Sequence, residues 1–213
     1  MYLPSVFSDI DLKVLSDLMG KHPLGLLMTS GPSGLMASPI PFKYLVDGEN
    51  SVLVAHLARA NPHWKELVNV NDCLVVFQGV EGYVTPSWYP SKGTTHKVVP
   101  TWNYEMVQVK GRPQVIDDVE WVKKQVSDLT DFMEQKRQCP WSVSDAPDDF
   151  IHSQLKAIIG LQIQITEIKG KWKMSQNRLP EDAQGVVEGL SNLNDPHSNP
   201  QMAKIVASKI CKK

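Results

Sequence analysis

The sequence predicts a mainly β protein with helices, an α+β chain whose antiparallel strands close on themselves as a small barrel. Three observations lead there. From Leu24 to Ala58, and again from Cys73 to Ile116, apolar stretches of strand length are separated by turns rich in Gly, Pro and Asn. The segment LQIQITEI alternates strictly, with Leu161, Ile163 and Ile165 on one face. Asp117 to Gln138 instead repeats Val119, Val122, Val126, Leu129 and Met133 at helical spacing. About six strands joined by short turns favour closure, because a barrel leaves no exposed edge.

In chain order, the first helix is capped by Ser8 or Asp9, carries Ile10, Val14, Leu15 and Leu18 on one face, and ends at Gly20 and Pro23. Leu24 to Ser30 is a strand, and Gly31 to Gly34 is a turn. In the next strand Pro39 and Pro41 stand two apart. Neither can donate to a ladder, so this strand lies at an edge or breaks into a bulge. A turn at Asp47 to Asn50 and a strand at Ser51 to Ala58 complete an antiparallel meander.

Asn61 then caps a short helix with Pro62 as its first residue. Cys73 to Tyr89 reads as two strands broken near Gly79 and Gly82, and Pro90 to Pro100 as a loop. A long strand begins at Thr101 and kinks near Gly111–Pro113. After the long helix, Ser144–Pro147 starts another that runs to Gly160. The alternating segment continues past Lys169 into Trp172 and beyond. Pro180 to Leu190 is a further short helix, Asp195 to Pro200 a linker, and Met202 to Cys211 a last, peripheral helix. Residues 1–190 thus form the main domain with helical additions, and 191–213 a linker with a terminal helix.

The chain has 213 residues, 42% hydrophobic and 21% charged, enough to bury a sizeable core. Net charge is -1 and no block of like charge occurs, which disfavours strong nucleic-acid binding. The cysteines, Cys73, Cys139 and Cys211, are odd in number and form no CxxC, so neither a disulfide framework nor a zinc site is indicated. Cys73, within CLVVF, reads as a buried core thiol. No apolar run reaches membrane-spanning length and the N-terminus lacks a secretory pattern, which together predict a reduced, cytoplasmic setting.

Chemistry concentrates in three segments. Gly82 to Tyr104 gathers Tyr83, Trp88, Tyr89, Trp102 and Tyr104 with Lys92 and Lys97, in a chain only 8% aromatic overall. Rings beside cations and hydroxyls suit a planar ligand with an anionic tail, while the same rings equally suit a strand core. Arg59 precedes the Asn61 cap, an arrangement that serves either as an anion site or as an ordinary capped helix beside a solvated Arg. Lys169 to Arg178 places Lys169, Lys171, Lys173 and Arg178 around Trp172, with the amides of Gln176 and Asn177. Dinucleotide, P-loop and nucleophile-elbow motifs are absent, and the six histidines have no metal-ligand spacing. His56 and His63 flank Arg59–Asn61, as ligand-lining or as structural residues.

These segments also carry a resemblance. HLARANPHW, VVFQGVEGYVTPSWYPSK, KVVPTWNY, PWSVSDAPDDF and KWKMSQNR resemble the PaiB-type proteins, described as FMN-binding negative transcriptional regulators, from MYLPSVF to about Gly189. That family is related to the split-barrel flavoproteins, which include pyridoxine phosphate oxidase. The resemblance implies a six-stranded antiparallel split β-barrel of the FMN-binding type with peripheral helices, a homodimer, and FMN between subunits. It implies that His56, Arg59 and Asn61 meet the phosphate. Ser38, Trp88, Thr101, Trp102 and Asn103 would approach the ring, Lys92 would offer a cation, and Lys173, Gln176, Asn177 and Arg178 would come from the late strand. The resemblance implies a histidine just before IPF; this chain reads ASPIPF there, with Ser38 and Pro39, which bears on how firmly FMN is held.

Two functions follow from different classes. One is an FMN-dependent oxidoreductase, in which the flavin does the redox chemistry and no catalytic acid or base is identifiable in the sequence. The other is a transcriptional repressor. The charge balance supports direct DNA contact poorly, and about nine residues separate the two central helices where a helix-turn-helix needs ~3–4. A heme-binding or heme-degrading protein, with His56 or His96 as axial ligand, is a third reading.

Overall fold

A computed structural model of the chain describes residues 1–47 and 50–210. In chain order the elements are β1 (Ser8–Asp9), α1 (Leu12–Lys21), β2 (Leu24–Gly31), β3 (Gly34–Pro41), β4 (Lys43–Asp47), β5 (Asn50–Ala58), α2 (His63–Leu67), β6 (Cys73–Val84) and α3 (Lys92–Thr95). There follow β7 (Thr101–Ile116), α4 (Val119–Glu134), α5 (Asp148–Lys156), β8 (Ile158–Lys173), α6 (Pro180–Ser191) and α7 (Pro200–Ile210). No helix among the described residues is long and apolar enough to cross a membrane. The α+β class and the antiparallel pairing agree with the sequence expectation.

The strand count and the connectivity do not. Eight strands pair among the described residues, not six, in the order β3-β2-β6-β7-β8-β5-β4, with β1 on β8. The expected meander is interrupted. β2 pairs β3 and β4 pairs β5, but β3 and β4 stand at opposite ends of the order, so the pairing path is open. The two prolines explain one end. Pro41 and Pro39 face Leu24 and Leu26 across the β2–β3 ladder and have no N–H to offer a further strand, so β3 is an edge strand as expected. The β2–β3 turn is closed by Gly34 at φ 89°, a value L side chains avoid. The turn expected at Asp47 to Asn50 lies partly outside the described residues.

Other boundaries shift for local reasons. Asp11, not Ser8 or Asp9, caps α1, its side chain accepting from the Lys13 N–H at 2.9 Å. Ser8 and Asp9 instead pair with Lys171 and Gly170 as β1, and Ile10 is exposed. β6 runs unbroken through Gly79 and Gly82. The long helix begins one residue after Asp118, which caps it by accepting from the Trp121 N–H at 2.7 Å, and it stops at Glu134. α5 ends at Lys156, and Ile158 to Gly160 already belong to β8, where they pair with Ala58 to His56.

The chain divides into two compact units. One comprises Met1–Leu15, Gln78–Val107 and Lys169 onward, and the other Ser16–Phe77 and Gln108–Ile168. β6, β7 and β8 contribute residues to both. The second unit has a core of Leu27, Leu53, Val75, Phe77, Ile159, Leu161 and Ile163, all essentially inaccessible. In the first unit, Leu190 of α6 and Met202 and Val206 of α7 are fully buried. The Trp88 ring there lies so close to α6 that a Cβ on Gly189 would come within 2.3 Å of it.

Candidate functional site

The residues expected to hold a ligand fall into two groups, one in each unit. In the second unit, Ser38, Asn61 and Arg59 are tied into the frame. Arg59 follows β5 directly. Its Nη1 donates to Asp117 Oδ2 at 2.9 Å, Nη2 donates to the other oxygen of the same carboxylate, and Nε donates to the Lys156 carbonyl at 2.9 Å. This bidentate contact holds the Asp117 carboxyl below the usual carboxylate range and raises the guanidinium further. The ordering is local: β5 delivers Arg59, and the bend before α4 delivers Asp117.

The helix α2 begins at His63 with Pro62 at its N-cap, one residue later than expected; Asn61 stands just before, its Oδ1 accepting from the His63 N–H at 3.0 Å and its Nδ2 lying 3.4 Å from Ser38 Oγ. His63 is fully buried. Its Nδ1 lies 2.8 Å from Ser38 Oγ and its Nε2 2.9 Å from Thr29 Oγ1. Burial lowers the His63 pKa, with Glu66 opposing the shift. His63 is therefore the structural member of the histidine pair. His56, on β5, donates from Nδ1 to Gln125 Oε1 on α4 at 2.7 Å. No local pattern marks Gln125 or Asp117, because both partners lie far away in the chain.

The first unit carries a different surface. On β8, Lys171 and Lys173 point to the same side by alternation. Lys173 Nζ donates to Thr101 Oγ1 and to the Trp102 carbonyl, the latter at 2.6 Å. Lys171 Nζ lies 5.3 Å from the centre of the Tyr104 ring and 5.6 Å from that of Tyr2, and donates to the Tyr2 carbonyl at 3.1 Å. Trp102 is 52% exposed and stands edge-on to Tyr83, with ring centres 5.8 Å apart. Burial pulls the Lys173 pKa down, and the charges of Arg178 and Lys171 pull it further. Arg178 stacks over Tyr89 at 4.7 Å. Among the described residues, Lys171, Lys173 and Arg178 make no ion pair with a carboxylate.

Other expected site residues in this unit have partners within the chain or stand apart. Trp88 is buried, with its indole N–H donating to Asp195 at 3.0 Å. Asn103 is fully buried and donates to Ser175 Oγ at 3.0 Å, which steadies Ser175 at φ 61°. Gln176 folds back on its own strand, accepting from the Met174 N–H and donating to the Trp172 carbonyl, both at 2.6 Å. Lys92, on α3, reaches only Ser87 Oγ at 3.5 Å. Asn177 is exposed. The structure thus brings Thr101, Trp102 and Lys173 together and adds Lys171, Tyr83 and Tyr104. The alternating pattern of β7 and β8 would have found Lys171 and Tyr104, whereas Tyr83 stands on β6.

The chain is similar to several known proteins. Residues 1–167 match the family described as "Putative FMN-binding domain", whose named cofactor is FMN. An uncharacterized protein of Emericella nidulans, AN0679, is 35% identical over 91% of this chain and 91% of its own length. The protease synthase and sporulation protein PAI 2 of Bacillus subtilis, the PaiB protein, is 27% identical over 100% of this chain and 99% of its own. Among solved structures, an FAD and heme binding protein from Mycobacterium smegmatis superposes with a TM-score of 0.58 at 18% identity, covering 78% of this chain and 73% of that one. That likeness extends to the fold, which is of the split-barrel class.

Proposed function

The chain belongs to this FMN-binding domain family, and on that premise we propose that it is a flavoprotein that holds FMN on the aromatic and cationic face of β7 and β8 in the first unit. One observation carries the reading. Three cations, Lys171, Lys173 and Arg178, stand without a carboxylate partner in the unit whose Trp102 ring is half exposed. Burial depresses Lys173 first and the charges of Arg178 and Lys171 add to it, and an anionic group relieves that second contribution. A flat ring system finds Trp102 and Tyr83 to stack against. The residues present therefore fit FMN.

Bound FMN supplies the electron transfer, so the family's chemistry needs little from the chain beyond positioning. Lys173, fixed by Thr101 and the Trp102 carbonyl, directs its ammonium at the phosphate. Lys171 and Arg178 add charge, and Trp102 orients the ring. Arg59, His56, Asn61 and Ser38 serve the frame of the second unit, since freeing the Arg59 guanidinium breaks three hydrogen bonds. This makes a flavin-dependent oxidoreductase the favoured activity over a repressor, whose DNA contact has only this small cationic face and a net charge of -1 to draw on.

The reading includes a homodimer through the β2–β3 hairpin. Leu24, Leu26 and Met28 stand opposite Pro41, Pro39 and Ala37 on one sheet face. Leu24 is 63% exposed there, and none of the six is charged. A patch of this kind is rarely left bare on a monomer, and a second copy presents the same uncharged surface. Sedimentation should give a dimer that Leu26→Lys splits, and a wild-type monomer overturns this part.

The cofactor reading is tested by titrating the protein with FMN and with riboflavin, which lacks the phosphate. Wild type should prefer FMN, and Lys173→Ala should reduce the preference. Equal affinity for both in the wild type would remove the cationic face from the phosphate role.

A further inference from the structure

In the first unit, Tyr2 lies against Lys171 of β8. The chain behind Tyr2 is fixed: the Pro4 carbonyl accepts from the Phe7 N–H at 3.0 Å, Phe7 is buried, and Ser8 of β1 pairs with Lys171 itself. From that pair the Lys171 side chain reaches Tyr2, whose carbonyl accepts from Nζ at 3.1 Å and whose ring centre lies 5.6 Å from it. The Tyr104 ring stands 5.3 Å from the same Nζ. Lys171 is left 8% exposed under this cover, whereas Tyr2 is 84% exposed.

The two partners are held unequally. An ammonium has three N–H donors, and among the described residues the Tyr2 carbonyl is the one hydrogen-bond acceptor of Lys171, with no carboxylate beside it. The two ring faces replace only part of the water that the charge has lost. Tyr2 has Lys171 as its one polar and ring partner among the described residues, and solvent covers the rest of its side chain. Moving residues 1–3 aside therefore breaks contacts to Lys171 while Phe7 and β1 stay in place. Lys171 loses a neutral acceptor in that movement, and an anionic oxygen is a stronger one.

We propose that Tyr2 is a lid on Lys171 that competes with the anionic group of the ligand, so that the cationic face opens fully only to a flavin carrying a phosphate. The inference rests on the FMN reading and adds to it a control over which flavin is accepted. Lys171 exchanges the Tyr2 carbonyl for a phosphate oxygen of FMN. Riboflavin offers no anion for that exchange, and Tyr2 keeps its hold. Tyr2 is a positioning residue, since it acts through Lys171.

The test compares the full chain with a variant lacking residues 2 and 3 and with Tyr2→Gly, which decides the matter should the deletion fail to fold. Acetylation by an N-hydroxysuccinimide ester, followed by peptide mapping, reads the cover on Lys171 without any flavin. In the wild type Lys171 should react about tenfold more slowly than the exposed Lys136, and the deletion should remove most of that protection. The deletion should raise FMN affinity about fivefold and leave riboflavin affinity within about twofold, with a smaller gain of the same kind in Tyr2→Gly. In a Lys171→Met background the deletion should bring no gain. The lid is overturned by Lys171 that reacts as fast as Lys136 in the wild type, or that stays protected in both variants. It is equally overturned by FMN affinity that neither variant changes, or by a gain that riboflavin shares. Absence of FMN binding in the wild type and both variants overturns the FMN reading and the lid together, whereas FMN binding unaffected by the variants overturns the lid alone.

Discussion

Lys173 crosses from β8 to donate to the Trp102 carbonyl on β7 at 2.6 Å, fixing a buried-edge ammonium beside a half-exposed indole. That pairing makes the ammonium a fixed donor rather than a solvated one. Lys173→Ala should weaken FMN binding by about 1.5–3 kcal/mol, the scale of a charge-assisted hydrogen bond, and leave riboflavin affinity unchanged. Isothermal titration of both ligands checks this.

Arg59→Ala should behave differently. With its guanidinium held by Asp117 and Lys156, the variant should melt slightly lower at low salt, and Asp117→Asn should do the same. FMN affinity should stay within about twofold of wild type. A large loss of affinity with an intact fold would return Arg59 to the phosphate.

His63 makes stability depend on pH. Its pKa in the fold lies below the ordinary value of 6.5, so the unfolded chain takes up the proton first. The native state is therefore fully favoured above about pH 6.5 and loses stability as pH falls from there toward the folded pKa. Thermal melts from pH 5 to 8 should show this slope, and His63→Gln should flatten it. A slope unchanged in the variant would assign it to other groups.

Gly189→Ala should destabilise the first unit by about 1–3 kcal/mol, because the added methyl meets the Trp88 ring at 2.3 Å. Trp88→Leu in the same background should recover part of the loss. Denaturant unfolding of the single and double variants measures it.

Alkylation should separate Cys73 from Cys139. Burial pushes the Cys73 thiol up to about 12, with Asp72 adding to the shift, while Cys139 is exposed. Iodoacetamide on the folded protein should label Cys139 and spare Cys73 until denaturant is added, as peptide mapping would show.

Several features were legible in the sequence because their causes are local. Asn61 accepts from the N–H of His63, the first residue of α2 and two residues away, the prolines at 39 and 41 mark β3 as an edge, and the spacing of Val122 and Leu129 gives α4 its buried face. The alternation in β7 and β8 already aligned Trp102 with Tyr104 and Lys171 with Lys173. The resemblance in KWKMSQNR and TWNY pointed to the family that the comparisons show.

What only the tertiary structure decided concerns partners distant in the chain. Arg59 meets Asp117, His56 meets Gln125, and Ser38 meets His63, so residues that read as ligand-facing in sequence are satisfied inside the second unit. Trp88 and Asn103 were likewise drawn into packing by α6 and Ser175. Nothing in the local pattern separates these from Lys173 and Trp102. Sequence specifies which side chains carry charge, rings and amides and on which face of an element they stand. Whether such a group is free for a ligand depends on which acceptor another segment brings within hydrogen-bond reach, and that is set when the strands and helices pack.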